Sequence, residues 1–240
     1  MKKIVFLVSL ISLLFSESIT IMTEVFPPFQ IVNEGELTGG ISVEIVRAIQ
    51  KEVGNNSKIK VYPWSRGMKL LEKRKNYALF STLRTKQREN KFKWVGPLAK
   101  MELVFFKKTN SKIKINSIDD AKKVSKIGVT NKVANYDILK AMGFKNLDVI
   151  KSGVDVKNIK KLIKGRIDLW PALKSTGIYN AKIMGYAGKI EPIDNVTIFE
   201  GDLYIAFNKN TDDKIIKKWQ SALDKLKENG TIKEIIKRYK

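Results

Sequence analysis

The sequence predicts an α/β protein built from two halves of similar size, and two patterns carry this prediction. Between residues 19 and 82, short apolar runs alternate with amphipathic stretches in the order β-α-β-α-β. Such an order is typical of a mostly parallel sheet that is covered by helices. The alternation begins again near Met101 and continues to Trp170. A second α/β unit is therefore expected to follow the first.

The elements of the first half are bounded by local signals. A strand predicted over 19–25 ends at Phe26-Pro27-Pro28-Phe29, where the two prolines favour a turn. Apolar residues recur at helical spacing from Ile41 to Val53, and Gly54 follows as a stop signal. The elements predicted after it are a strand at 58–62, a helix at 67–75 and a strand at 78–82.

Two pairs of residues mark helix starts in the second half and the tail. Ser117 is followed by Asp120 three residues later, which resembles a capping box. Thr231 and Glu234 have the same spacing and are predicted to open a final short helix. The other predicted elements are strands at 101–107, 126–129, 147–150, 167–170 and 203–207, helices at 133–142 and 156–163, and a helix that carries the apolar stripe from Ile215 to Leu226.

The chain contains neither cysteine nor histidine. Disulfides, thiolate metal sites and catalysis by Ser-His-Asp, Cys-His or His-metal groups are thereby excluded. We therefore expect no cofactor, no metal site and no enzymatic activity. The alternative is an enzyme that works with carboxylates, for which Glu24, Asp168 and Glu200 are the candidates, although the sequence shows no pairing among them.

The formal net charge of +22 is large for a chain of this length. Such a balance can indicate nucleic acid, an anionic membrane surface or an acidic ligand as the partner. The lysines are scattered over the predicted helices, as at Lys122-Lys123, Lys160-Lys161 and Lys217-Lys218, and form no basic block interleaved with aromatic residues. This pattern favours solvated helix faces, so we expect no nucleic-acid partner and keep a charge-driven binder as an alternative.

Residues 1–18 have the order of a secretory signal. Lys2 and Lys3 precede an apolar run, and Ser16 and Ser18 suit the small-residue cleavage positions. The apolar run is too short to span a bilayer comfortably. We predict a cleaved signal peptide and a periplasmic or secreted location, with an uncleaved membrane anchor as the alternative.

Several short motifs follow one another in a set order. They are Phe26-Pro27-Pro28-Phe29, Gly35-Glu36-Leu37-Thr38-Gly39, Thr85-x-x-Arg88, Val95-Gly96-Pro97, Gly165-Arg166-Ile167-Asp168 and the stretch from Leu223 to Tyr239 around Asn229-Gly230-Thr231. Together they resemble the family 3 extracellular solute-binding proteins of ABC importers, the group best known for polar amino acids. The resemblance covers essentially the whole chain after residue 18. Pro63-Trp64-Ser65-Arg66 and Trp94-Val95-Gly96-Pro97 look like a branch apart from the typical amino-acid binders.

The resemblance implies a two-lobed periplasmic-binding-protein fold, type II-like, with two α/β lobes joined by crossing strands near 104–106 and 203–205. Lobe 1 would comprise residues 19–103 and 206–240, and lobe 2 residues 104–205. Each lobe is expected to carry its own sheet, with the solute bound in the cleft between the lobes and enclosed by a hinge motion.

The resemblance also implies a function and partners. We expect a monomer that captures a small polar or anionic solute, either amino acid-like or a carboxylate, and hands it to the membrane permease of an ABC importer. Two alternatives stay open: a ligand-sensing domain that feeds a receptor, and a dehydratase-like enzyme on the same fold.

Arginine provides the leading ligand-binding candidates. Ligands of open α/β sheets bind beyond the carboxyl ends of the strands, and the loop after the strand at 78–82 is such a place. The resemblance implies that Arg88 of the Thr85-x-x-Arg88 motif holds the ligand's carboxylate, a role that suits the planar fork of a guanidinium. Arg84, in the same loop, is a second candidate. Either arginine could instead pair with Glu89 or be solvated.

Other candidates lie at neighbouring strand ends. Phe26 falls where family members often place an aromatic lid, with core packing beside the prolines as the alternative. Trp64 and Arg66 could supply an aromatic wall and a second cation. The remaining predicted ligand contacts are Thr85, Ser81, Thr82 and, from lobe 2, Trp170.

Lobe 2 departs from the pattern of the amino-acid binders. These proteins commonly carry an aspartate about five residues after the one that corresponds to Asp168, and it accepts the ligand's ammonium group. The corresponding region here is Ala172-Leu173-Lys174, without an acid. The departure favours a carboxylate without an α-amino group, or another anionic or aromatic polar solute.

Overall fold

The fold is described from a computed structural model, which covers residues 19–131, 133–151 and 156–239. The signal peptide predicted at 1–18 lies outside these residues. Within them, no helix combines the length and the apolar character that are needed to cross a bilayer.

The described residues form ten strands. They are β1 (Thr20–Thr23), β2 (Ile31–Asn33), β3 (Glu36–Gly39), β4 (Lys60–Val61), β5 (Tyr77–Leu83), β6 (Phe92–Lys108), β7 (Ile127–Thr130), β8 (Leu147–Ile150), β9 (Trp170–Leu173) and β10 (Ile190–Asn208). With 17 and 19 residues, β6 and β10 are much longer than predicted. Charged residues in their middle sections interrupt the apolar runs that indicate strands in a sequence.

The helices are α1 (Ile41–Val53), α2 (Trp64–Lys73), α3 (Ile118–Lys123), α4 (Ala134–Ala141), α5 (Lys157–Ile163), α6 (Lys174–Ile183), α7 (Asp213–Glu228) and α8 (Thr231–Lys237), with a 3-10 turn at Glu89–Lys91. The Ser117 side chain caps α3, as predicted, by accepting a hydrogen bond from the Asp120 N–H at 3.1 Å. The predicted cap of α8 is wrong, because Gly230 rather than Thr231 precedes its first turn, with φ 81°.

Six strands form one hydrogen-bonded sheet in the order β4-β1-β5-β10-β6-β9. β1 is parallel to β4 and β5, whereas β10 runs antiparallel between β5 and β6. β7 and β8 form a parallel pair, which a bridge from Ile127 to Leu169 connects beside β9. The prediction of a separate sheet in each lobe is therefore wrong, because β6 and β10 continue their pairing from one lobe into the other.

The lobes are distinct because their apolar cores are separate. In lobe 1, α1, α7 and α8 pack on one face of the sheet and α2 on the other. In lobe 2, the core side chains come from the middle of the chain, residues 104–196. Ala99 and Leu203 pack in lobe 1, whereas Val104 and Ile198 pack in lobe 2. Both connecting strands thus pass between the cores slightly before the crossing points that the sequence predicts.

The connecting strands carry a charge cluster at this passage. Glu102 on β6 lies directly opposite Glu200 on β10. The Lys100 ammonium lies 3.2 Å from the Glu102 carboxylate and 2.8 Å from that of Glu200. Like charges placed opposite each other on paired strands are destabilising, and the lysine offsets this repulsion at the passage between the two cores.

Candidate functional site

The strand ends that carry the predicted site lie side by side. β4, β1 and β5 are neighbouring parallel strands, so their carboxyl ends share one edge of the sheet. Phe26 follows β1, Trp64 opens the helix after β4, and Arg88 lies in the loop after β5. This edge faces lobe 2, because the Thr176 hydroxyl on α6 donates a hydrogen bond to the Pro27 carbonyl at 3.0 Å.

Arg88 presents its guanidinium at this edge without an acidic partner. Nη1 donates to the Leu83 carbonyl at 3.1 Å, and the guanidinium carbon lies 5.2 Å from the centre of the Trp64 ring. Among the described residues, no carboxylate lies within ion-pair distance of it. A half-buried cation that is held by a carbonyl and an aromatic face retains donors for an incoming carboxylate.

Arg84, unlike Arg88, has an acidic partner. Its Nε and Nη2 donate to the two carboxylate oxygens of Glu89 at 2.7 and 2.5 Å, and its guanidinium lies against the rings of Trp94 and Tyr204, 5.7 and 5.2 Å from their centres. The hydrogen bonds with Glu89 raise the pKa of Arg84 and lower the pKa of Glu89. The fork of Arg84 is therefore occupied by Glu89, which makes Arg88 the stronger candidate of the two.

The loop between Arg84 and Trp94 is fixed by its own hydrogen bonds. The backbone N–H groups of Arg88 and Glu89 both donate to the Thr85 carbonyl at 2.9 Å. Trp94 Nε1 donates to the Glu89 carbonyl at 3.1 Å. Thr85, which was predicted to contact the ligand, thus contributes through its main chain to the turn that carries Arg88.

Ser81 and Thr82 are both buried at the end of β5. Ser81 has φ 56°, a left-handed conformation that coincides with the register shift between β5 and β10, and its hydroxyl accepts a hydrogen bond from Gln30 Nε2. The Thr82 hydroxyl donates to the Leu79 carbonyl at 2.9 Å. Both hydroxyls are therefore bonded within lobe 1, and Ser81 lies at the irregularity in the pairing of β5 with β10.

Phe26 and Arg66 contact lobe 1 residues of the same edge. The half-buried ring of Phe26 lies 5.1 Å from that of Phe29, so it packs in part as a core residue. Arg66 is exposed on α2, and its guanidinium lies 4.6 Å from the centre of the Tyr62 ring. The Phe26 ring is thus partly occupied, whereas the Arg66 guanidinium has no acidic partner among the described residues and stays a candidate second cation.

The prediction that Trp170 of lobe 2 contacts the ligand has to be corrected. Only 1% of its surface is exposed, and its ring packs 5.5 Å from that of Phe106 in the core of lobe 2. β9 begins at this residue and pairs with β6, which turns the indole into the core. Trp170 therefore has no surface with which to line a cleft.

Two cavities bear on the choice of site. One of about 520 Å³ lies between the lobes, and the charged residues that line it are Lys100, Glu102 and Lys174. Both lysines are paired, Lys100 with Glu102 and Glu200 and Lys174 with Asp194 at 2.9 Å, so neither offers a vacant charge. A groove of about 680 Å³ beside α1 is lined by none of the predicted site residues.

Glu24 is a residue of this edge that was not predicted to bind ligand. It follows β1 directly, is half-buried, and forms no hydrogen bond or ion pair with the described residues. Burial raises the pKa of its carboxyl group above the ordinary value. In the sequence, its place between a strand and the Phe26-Pro27-Pro28 turn indicates only a candidate catalytic carboxylate.

Comparisons with known proteins agree with this architecture. The chain is 24% identical over 216 residues to the probable amino-acid-binding protein YxeM of Bacillus subtilis. The aligned residues cover 88% of this chain and 79% of that protein. Its fold is similar to an ancestral cationic amino acid solute-binding protein, with a TM-score of 0.77, 18% identity, and coverage of 92% of this chain and 95% of that chain. It is also similar to substrate-binding domain 2 of Lactococcus lactis GlnP, with a TM-score of 0.75, 19% identity, and coverage of 93% and 96%.

The family assignment rests on nearly the whole described chain. Residues 19–240 match the bacterial extracellular solute-binding proteins, family 3. The two lobes and the two connecting strands are the architecture that the sequence motifs imply. The chain belongs to the family 3 bacterial extracellular solute-binding proteins.

Proposed function

We propose that this protein captures a small polar solute bearing a carboxylate outside the cytoplasmic membrane and delivers it to the permease of an ABC importer. The observation that carries the proposal is the Arg88 guanidinium, which is held at the edge facing lobe 2 without an acidic partner among the described residues. The likeness to the probable amino-acid-binding protein YxeM supports an amino acid-like solute.

Binding would proceed without covalent chemistry. The ligand's carboxylate would pair with Arg88 in lobe 1, and lobe 2 would then close over it about β6 and β10. Closure excludes water, which strengthens the charged hydrogen bonds around the solute. The closed form, acting as a monomer that is exported by a cleaved signal peptide, would be the form that the permease recognises.

A thermal-shift screen followed by calorimetry tests the proposal. Amino acids, dicarboxylates, aromatic acids and peptides are screened for solutes that raise the melting temperature, since a ligand that binds the folded state stabilises it by mass action. Arg88→Ala should then weaken binding of the best solute by about 10- to 100-fold, as expected for the loss of a charge-assisted bidentate pair.

Arg74→Ala serves as the matched control, because Arg74 is an exposed arginine of lobe 1 at the far end of α2. This variant should bind as tightly as the parent. Equal binding by Arg88→Ala and the parent would show that the site is wrongly placed. Turnover of any stabilising solute by the purified protein would show that the protein is an enzyme.

A further inference from the structure

Glu24 and Arg88 follow two neighbouring strands of the shared edge, β1 and β5. The strand order β4-β1-β5 puts β1 in the middle, and Glu24 is the first residue after β1. Arg88 comes from the loop after β5, yet its guanidinium lies over Trp64, which follows β4. The Arg88 side chain therefore extends across the carboxyl end of β1, the strand that Glu24 follows directly.

The two charges are not paired with each other. Neither residue has an ion-pair partner within the described part of the chain. A half-buried carboxylate without a hydrogen-bond donor carries a desolvation cost, and burial accordingly raises its pKa.

The surroundings of Glu24 suit a cation that arrives with a ligand. Phe26 follows two residues later, and the backbone N–H of Tyr62 donates to the Thr23 carbonyl at 2.9 Å, which places Tyr62 and Trp64 beside the end of β1. Aromatic faces attract guanidinium groups, and these two rings already carry Arg66 and Arg88, 4.6 and 5.2 Å from the ring centres. An unpaired carboxylate and an unpaired guanidinium at one edge together match the two charges of a zwitterion.

We propose that Glu24 accepts the cationic group of a zwitterionic solute whose carboxylate binds Arg88, an inference that rests on the function proposed above. The acid that lobe 2 lacks at Ala172-Leu173-Lys174 is thereby supplied by lobe 1. Both charged ends of the ligand are held by the same lobe, and lobe 2 encloses a ligand that is already fully recognised. The solute class is therefore amino acid-like rather than a simple carboxylate.

Matched pairs of compounds test this assignment. The twenty L-amino acids and, for each, the carboxylic acid that lacks the amino group are compared by thermal shift, and the best pair is then measured by calorimetry. The parent protein should bind the amino acid about 10- to 100-fold more tightly than its deaminated partner, as expected for a charge-assisted hydrogen bond in a partly buried site. Glu24→Gln should remove most of this difference and leave the affinity for the deaminated partner unchanged.

Two variants keep the result interpretable. Glu36→Gln removes an exposed carboxylate on β3 and should leave both affinities as in the parent. Arg88→Ala should weaken both compounds of the pair alike. If Glu24→Gln preserves the amino acid preference while Arg88→Ala weakens binding as predicted, the role of Glu24 is refuted and the proposed function stands. A parent that binds only deaminated acids also refutes it, whereas unchanged binding by Arg88→Ala refutes the proposed function itself.

Discussion

The two edges that face each other between the lobes differ in how their charges are used. At the lobe 1 edge, Arg88 and Glu24 are half-buried and lack charge partners among the described residues. At the lobe 2 edge, Lys174 is paired with Asp194 at 2.9 Å, and Thr176 is already bonded to Pro27 of lobe 1. The difference indicates a division of roles, in which lobe 1 recognises the charges of the solute and lobe 2 closes over it.

The largest effect is expected from two tryptophans, one in the core of lobe 2 and one at the edge of lobe 1. Trp170 lies in the core of lobe 2, whereas Trp64 lies half-buried at the lobe 1 edge. Trp170→Ala should lower the free energy of unfolding by about 3–5 kcal/mol, because a buried aromatic side chain leaves a cavity. Trp64→Ala should cost clearly less stability and weaken ligand binding instead. Urea denaturation and calorimetry measure the two effects, and the reverse ranking in stability would contradict these placements.

An effect of intermediate size on ligand binding is expected from Arg84, which is paired with Glu89, whereas Arg88 has no acidic partner among the described residues. Arg84→Ala should weaken binding by about 10-fold, because the loop that holds Arg88 loses its bond to Glu89. The free energy of unfolding should change by less than about 1 kcal/mol, since the pair is largely exposed. Glu89→Ala and the double variant should weaken binding to the same extent as Arg84→Ala. Losses that add in the double variant would show that Arg84 binds the ligand itself.

The smallest effect concerns the stability of the protein without ligand. Burial raises the pKa of Glu24 in the folded state, so ionisation of this group costs stability as the pH rises from its ordinary value through the raised one. Glu24→Gln should therefore melt slightly higher than the parent at pH 7, and the two should converge near pH 4. Thermal melts of both proteins over this pH range measure the difference in melting temperature. A lower melting temperature for Glu24→Gln at pH 7 would show that the carboxylate stabilises the fold.

Much of the fold is predictable from local patterns. α1 occupies the predicted residues because its apolar stripe and its terminal Gly54, in a left-handed conformation with φ 72°, act within one element. α6 was not predicted, partly because Gly177 is unfavourable in a helix. The structure shows that a β-carbon at Gly177 would lie 2.5 Å from the ring of Phe106, so this glycine is required by packing rather than by a turn.

The site was predictable only in part, because pairing depends on three-dimensional position. Arg84 and Arg88 occur in one loop, and the sequence cannot show which of them Glu89 reaches. In the structure the partner is Arg84, five residues away, rather than the adjacent Arg88. The role proposed for Glu24 likewise depends on the strand order β4-β1-β5, which no local pattern contains.

A crystal structure of the protein with the solute selected by the thermal-shift screen tests the central claim most directly. We predict that a carboxylate of the solute lies within hydrogen-bond distance of the Arg88 guanidinium, at the shared edge of β4, β1 and β5, with lobe 2 closed over it. A solute bound instead in the cavity beside Lys100 and Lys174, with Arg88 making no contact to it, would contradict the claim.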